Sequence, residues 1–308
     1  MGFLGHFTVM KTELVDALVE NSVKGSKKIF LDLTFGGGGH TCELARKVPE
    51  AKVFSFDQDN DAIENGRVVL KEKGLDQQVT LIESNFIHLK DEVSKILENN
   101  PEYSIAGIMA DIGVSSHQFD DPERGFSFRF DGPLDMRMDK DSEDLVSAKE
   151  IVNTYSEEDL ADIFFKYGEE KLSRRIAKNI IEARSSKEIT RTKELEEIVF
   201  LSYPKKWRHG RTHPATKVFQ ALRIYVNREL EFLDQIIPDA IDLLAPGGRF
   251  AVISFHSLED RILKHKLREF HQEGVGKLIQ RKPILPTEDE IKMNPRSRSA
   301  KLRGIEKN

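Results

Sequence analysis

The sequence predicts an α/β protein in which a doubly wound parallel sheet is interrupted by a block of helices. Three observations predict it. Apolar runs of strand length alternate with helical patterns over the first 115 residues; the alternation stops after Ser116; and a strand of the early kind, Arg249-Phe250-Ala251-Val252-Ile253-Ser254, returns late in the chain.

Taken in order, Ile29-Phe30-Leu31-Asp32-Leu33 reads as a buried strand, Thr41 to Val48 as a helix and Lys52-Val53-Phe54-Ser55-Phe56 as a second strand. Asp61 to Lys73 is helical, Val79 to Ile82 a third strand, Leu89 to Glu98 a helix and Ile105 to Ile112 a fourth strand. Strands alternating with helices call for a parallel sheet covered on both faces. A loop rich in Gly, Pro and Asp then runs to about Asp144. Helices follow. Ser156 to Asp159 forms a capping box, Leu172, Ile176, Ile180 and Ala183 stripe the next helix, and Thr192 caps another with Leu195, Ile198 and Val199 inward. From Thr216 a long helix carries Phe219, Leu222, Val226 and Leu230, and a further one runs through Ile236 to Leu244 before the turn at Pro246-Gly247-Gly248. Three segments result: residues 1–116 as the first part of the sheet domain, 117–215 as a helical insertion, and 216–308 as the second part with a basic tail.

With 308 residues, 39% of them hydrophobic, the chain can bury a full core. The single cysteine, Cys42, rules out an intrachain disulfide and any Cys-rich zinc spacing, which fits a reducing, cytoplasmic setting. The start shows no signal-peptide layout, and no apolar run reaches membrane-spanning length. The net charge of −5 is unevenly spread: residues 201–308 carry 21 Lys+Arg against 13 Asp+Glu, a surplus of +8 on a body of −13. A basic last third permits a polyanionic partner, although a solvated surface has the same composition.

Asp32-Leu33-Thr34-Phe35-Gly36-Gly37-Gly38-Gly39-His40 lies where the first strand meets the first helix, the place where such sheets bind ligands. Asp57 ends the second strand, 21 residues after Gly36, where a carboxylate accepts hydrogen bonds from the two hydroxyls of an adenosine ribose. A dinucleotide site is disfavoured because the G-x-G-x-x-G spacing fails: Gly36 and Gly38 are followed by Thr41, and Gly37 and Gly39 by Cys42. No phosphate-binding G-x-x-x-x-G-K-[ST] loop occurs. S-adenosylmethionine, which has a ribose but no pyrophosphate, suits this loop, so methyl transfer is the predicted chemistry.

The acceptor follows from what the chain lacks. Methylation at cytosine C5 uses a cysteine thiolate, and Cys42 lies inside the helix after the glycine loop. An exocyclic amine needs only acceptors that hold its hydrogens and aim its lone pair. Asp111-Ile112-Gly113-Val114-Ser115-Ser116-His117-Gln118, after the fourth strand, offers them, with Asp111, Ser115 and Ser116 as candidate catalytic residues; the alternative for Asp111 is a turn cap. The Asp/Asn/Ser-Pro-Pro-aromatic signature of DNA amino-methyltransferases is absent, since no Pro-Pro dipeptide occurs.

These residues resemble a known family nearly end to end: the bacterial RsmH, or MraW, methyltransferases, which modify cytosine N4 in small-subunit ribosomal RNA. The blocks are Thr34 to His40, Asp111 to Ser116, Arg124-Gly125-Phe126-Ser127-Phe128, Gly132 to Asp139, Tyr167 to Glu170, His213 to Thr216, Phe219 to Ile224, Ser254 to Arg261 and Asn294 to Arg303. Ile112 and Phe119 stand where Leu is usual. The resemblance implies a Rossmann-like S-adenosylmethionine methyltransferase domain with an inserted helical substrate-binding domain. It implies cofactor contacts at Gly38, Gly39, His40, Asp57, Phe86, Asp111 and Gln118, with Phe86 against the adenine. It also implies small-subunit ribosomal RNA, in the assembled subunit, as partner, without DNA or membrane. A methyltransferase of a small molecule or protein, and a non-catalytic RNA-binding relative, are the competing readings.

Other candidates have bland alternatives. Phe126, Phe128 and Phe130 alternate as if to stack on a splayed base, or else plug into the core. Arg124, Arg129 and Arg137 hold phosphates or pair with neighbouring aspartates. His209 and His213 lack a third ligand, which disfavours a metal. Ser257 to Asp260 reads as a capping box, His256 as a group near substrate, and Arg296, Arg298, Lys301 and Arg303 as a basic tail for RNA.

Overall fold

The computed structural model describes residues 8–21, 23–24, 27–84, 88–140, 142, 145–210 and 212–308. The chain divides into two compact units, Met1–Gly113 with Leu230–Asn308, and Val114–Glu229.

In the first unit, α1 (Lys11–Val19) precedes β1 (Lys28–Asp32), α2 (Gly39–Lys47), β2 (Lys52–Asp57), α3 (Asn60–Glu72), β3 (Val79–Glu83), α4 (Leu89–Glu98) and β4 (Ser104–Asp111). The second unit holds α5 (Ser116–Asp120), α6 (Ala148–Thr154), α7 (Glu157–Gly168), α8 (Ser173–Arg184), α9 (Thr192–Ser202) and α10 (Ala215–Val226). The chain then continues through α11 (Glu229–Leu243), β5 (Arg249–Ser254), α12 (Ser257–Gln272), β6 (Gly276–Leu278), α13 (Glu288–Met293) and β7 (Lys301–Lys307).

The seven strands are ordered β3-β2-β1-β4-β5-β7-β6, the first five parallel and β7 antiparallel to both β5 and β6. The predicted α/β class and its parallel core are therefore found. Each strand alternates its apolar residues between two cores. Phe30, Val53, Met109 and Ile253 face one, closed by Leu14 and Leu18 of α1 and Leu44 of α2. Ile29, Leu31, Phe54, Phe56, Ile108 and Val252 face the other, closed by Val93 of α4, Ile237 and Ile241 of α11 and Leu263 of α12. The strand order reverses between β1 and β4, so the carboxyl ends of β1, β2 and β4 border the crevice where such sheets take ligands.

The second unit has its own core of Leu134, Met136, Ile151, Leu160, Phe164, Ile176, Leu195, Val199 and Leu222. Because α10 packs on α7, the division falls after α10. Here two open alternatives are decided for most of the residues concerned. Phe126 is buried in this core and Phe128 packs on His213 and Phe219, at 4.8 and 5.1 Å between ring centroids, leaving only Phe130 exposed. Arg124 is buried, donating to the carbonyls of Arg137 and Met138, and Arg137 forms a two-pronged pair with Asp135 at 2.8 and 3.1 Å. These two arginines hold the loop's backbone and its aspartate.

The basic tail is also corrected. Lys301 and Arg303 belong to β7, an interior strand whose Leu302 and Ile305 are buried, and both pair with Asp260 at 2.8 and 2.7 Å. Charged residues at alternate positions masked a strand that is held between β5 and β6 by tertiary pairing.

Candidate active site

Asp32 ends β1 fully buried, and burial pushes its carboxyl up to about 7 despite hydrogen bonds from Thr41 and Thr34. Thr41 Oγ1 donates to Asp32 Oδ2 at 2.5 Å, and Thr34 N to Oδ1 at 3.1 Å. Thr34 Oγ1 in turn accepts the Asp111 amide at 2.7 Å, which ties the loop after β1 to the end of β4. The sequence places Asp32 at the end of β1 and Thr34 in the segment after it without giving either a role. The available signal was a carboxylate closing an apolar strand two residues before a threonine.

The glycine loop turns at Gly38, whose φ of 73° lies in the left-handed region. A Cβ there would stand 2.6 Å from the Phe35 ring, and one on Gly39 would stand 1.8 Å from Thr8 Oγ1. The chain itself thus demands these two glycines, while a Cβ on the exposed Gly37 meets nothing within 4 Å. Gly38 caps α2 without a side chain, and the helix's first turn carries no acid, leaving its leading N–H groups available to an anionic group.

Asp57, at the end of β2, accepts the Gly36 amide on Oδ2 at 2.8 Å and the Asp59 amide on Oδ1 at 2.9 Å. Each oxygen keeps a second lone pair, enough for a pair of ribose hydroxyls. Burial pushes this carboxyl up to about 6, so it is ionised at neutral pH.

His40 is buried, and its Nε2 lies 2.9 Å from the Val9 carbonyl. A carbonyl can only accept, so the ring proton sits on Nε2 and Nδ1 presents a lone pair. That lone pair faces Asp111 Oδ2 at 3.7 Å. Burial lowers the His40 pKa to about 4, with the Val9 bond opposing and Lys11 assisting. His40 is therefore expected to titrate near pH 4 in an NMR experiment. Its folded pKa lies below the unfolded value of 6.5, so its contribution to stability is complete above pH 6.5 and is lost as pH falls through 4. A His40 midpoint near 6.5 would contradict this tautomer and burial.

Asp111 ends β4, with 26% of its side chain accessible. Its Oδ1 is buried and, among the described residues, has no hydrogen-bond partner. Burial, then the Asp32 and Glu259 carboxylates, hold Asp111 well above the usual carboxylate range. Glu259 is fully buried at the start of α12, where Oε2 accepts the Phe255 and His256 amides at 2.8 and 3.2 Å. The capping box therefore runs from His256 to Glu259, one residue earlier than the sequence suggested. His256 serves as its cap.

Ser115 and Gln118 lie in the second unit and engage each other: Ser115 N donates to Gln118 Oε1 and Gln118 N to Ser115 Oγ, both at 3.2 Å. Ser116 begins α5. Phe86 lies outside the described residues.

The first unit thus gathers Gly38, Gly39, His40, Asp57 and Asp111 at neighbouring strand ends. Asp32, Asp57, Asp111 and Glu259 crowd carboxyl groups there, since Asp57 raises Asp32, and Asp32 and Glu259 raise Asp111, so a nearby positive charge would favour their ionised forms. A cationic ligand with a ribose fits such a site. A model of the MraW methylase family matches residues 3–308. This chain belongs to the MraW methylase family. As a member it is a methyltransferase with S-adenosylmethionine as its cofactor. Relatives named ribosomal RNA small subunit methyltransferase H include one from Nostoc sp., 47% identical over 98% of this chain and 92% of its own length. Another from Synechococcus elongatus is 48% identical over 98% and 94%, and one from Clostridioides difficile 43% identical over 96% and 97%. Among the described residues, no helix is long and apolar enough to cross a membrane.

Proposed function

We propose that this MraW-family enzyme methylates the exocyclic N4 amine of a cytidine in small-subunit ribosomal RNA, by direct transfer without a covalent adduct. The observation that carries the reading is Asp111 Oδ1, a buried acceptor without a partner at the end of β4. An amine N–H is the complement such an oxygen lacks. Family membership and the names of its relatives support ribosomal RNA as the substrate class.

S-adenosylmethionine, when bound, would supply an electrophilic methyl group, whose sulfonium sulfur leaves as a neutral thioether when the amine nitrogen takes the methyl. Asp57 would hold its ribose, and the first N–H groups of α2 with the Gly38–Gly39 backbone would take its carboxylate. Asp111 Oδ1 accepts one amine hydrogen and fixes the direction of the nitrogen lone pair. When ionised, Asp111 is a stronger base than an exposed carboxylate because burial raises its pKa, and in that form it takes the proton that the methylated nitrogen sheds. Ser115 and Ser116, four and five residues on, are proposed to hold the base through their hydroxyls, and Gln118 and Phe86 to complete the cofactor site.

The test is methyl transfer from S-adenosylmethionine to unmodified small ribosomal subunits and to naked small-subunit RNA, followed by digestion to nucleosides and mass spectrometry against an N4-methylcytidine standard. N4-methylcytidine is expected, more from subunits than from RNA. A different methylated nucleoside overturns the choice of atom. No methylated nucleoside, with cofactor binding demonstrated, favours a small-molecule or protein acceptor or a non-catalytic role.

A further inference from the structure

The 31 residues from Ile198 to Arg228 contain seven Lys or Arg and no Asp or Glu, in a chain with 52 acidic residues. They span the end of α9, a 3-10 turn at Lys205–Trp207 and α10. The inner side of this stretch is committed to packing: Phe200 stacks on His213 at 5.7 Å, and Arg208 lies 5.4 Å over Phe200 while donating to the Tyr203 and Leu201 carbonyls.

The outer side is not. Trp207, the chain's single tryptophan, is 52% exposed. Lys205 and Lys206 beside it are exposed and have no carboxylate partner among the described residues; the Lys206 ammonium sits 5.1 Å from the indole centroid. Tyr203 donates to Glu170 at 2.5 Å and Asn179 to Ser202 at 2.8 Å, which ties the chain just before the turn to the segment that leads into α8 and to the middle of that helix. There Lys171, Arg174 and Arg175 are also exposed without carboxylate partners, and Glu170 is buried under Tyr203. Cations at the positive end of a helix repel its dipole unless an anion covers them.

We propose that this face of the helical unit, centred on Trp207 with Lys205, Lys206, Arg174 and Arg175, grips single-stranded RNA. A base stacks on the indole and the cations meet the flanking phosphates. The proposal rests on the ribosomal RNA reading above and says which surface holds the strand. Charge alone would suit an acidic protein, but an exposed planar ring among cations suits a chain that alternates phosphates with open base faces. A duplex buries those faces.

The experiment uses the full chain and a labelled single-stranded RNA oligonucleotide, with affinity measured over a range of salt. Trp207→Ala is expected to weaken binding about tenfold. Changing Lys205 and Lys206 together to Ala is expected to lower the slope of log affinity against log salt by about 1.4. Thermal midpoint and S-adenosylmethionine affinity should stay unchanged in both, which separates an RNA contact from a folding defect. As the only tryptophan, Trp207 also reports directly: RNA should quench its emission, and heparin, which has charge without bases, should not. Variants that bind RNA as the unaltered protein does, while the latter methylates subunits, overturn this surface and leave the function standing. Equal quenching by heparin overturns the stacking. Failure of the unaltered protein both to bind RNA and to methylate subunits overturns the ribosomal RNA reading itself.

Discussion

Replacing Asp111 with Ala is expected to lower turnover by about 10²–10³-fold, the usual effect of removing one preorganised group at a reacting centre. Affinity for RNA should change far less, because Asp111 contributes orientation and a proton acceptor at one atom. Asp111→Asn separates the two contributions. The amide oxygen still accepts an amine hydrogen but takes up no proton, so Asn should fall between Ala and the native residue. The fold should tolerate both changes: the Asp111 side chain makes no hydrogen bond among the described residues, and its amide bond to Thr34 Oγ1 comes from the backbone. Removing one of several mutually repelling carboxylates should, if anything, raise the stability of the cofactor-free protein. Single-turnover methylation with saturating RNA reads the effect. Native turnover in Asp111→Ala would remove the amine clamp and return Asp111 to the end of a strand.

Asp57→Ala is expected to weaken S-adenosylmethionine binding by about 10²-fold or more, since two charge-assisted hydrogen bonds contribute roughly 1.5–3 kcal/mol each. Part of the loss comes through the protein, because Asp57 also holds the Gly36 and Asp59 amides. Calorimetric titration measures it. The pH dependence follows from the carboxyl's position near 6. Binding needs the ionised form, so affinity should fall as pH drops below about 6 in the native protein, and this fall should be absent in Asp57→Asn. For the cofactor-free fold the sign is opposite. The folded pKa, near 6, lies above the ordinary 3.8, so the folded state binds more protons between those values and this group's contribution to stability declines as pH rises through them. Asp32, pushed up to about 7 by burial, adds to the same decline. Unaltered affinity in Asp57→Ala would place the ribose elsewhere.

The parallel strands could be read from the chain because each is a short apolar run closed by a polar residue, Asp32, Asp57, Glu83, Asp111 or Ser254, and burial on both faces leaves little room for polar residues. β6 and β7 could not: three residues in one case, and charges at alternate positions in the other, carry no local preference that outweighs a loop. The crevice was legible through spacing, since the glycine loop follows the end of β1 and Asp57 ends β2. Its electrostatics were not. Nothing in the order of residues says that Thr34 bridges β1 to β4, or that Glu259 is buried near enough to raise Asp111. The aromatics of the central loop could not be decided from the sequence because alternation does not say whether a side chain faces core or solvent, and Phe126 is buried while Phe130 is exposed.

The sequence by itself determined the α/β class, the membership of a methylase family and the identity of the residues that end the central strands, because periodicity, glycine spacing and ordered motifs are local properties of the chain. Only the tertiary structure decided the proton on His40, the unpartnered oxygen of Asp111, the pairing of Lys301 and Arg303 with Asp260 and the exposure of Trp207. Burial and long-range pairing set the energy of a charge or a lone pair, and both exist only once distant segments have been brought together.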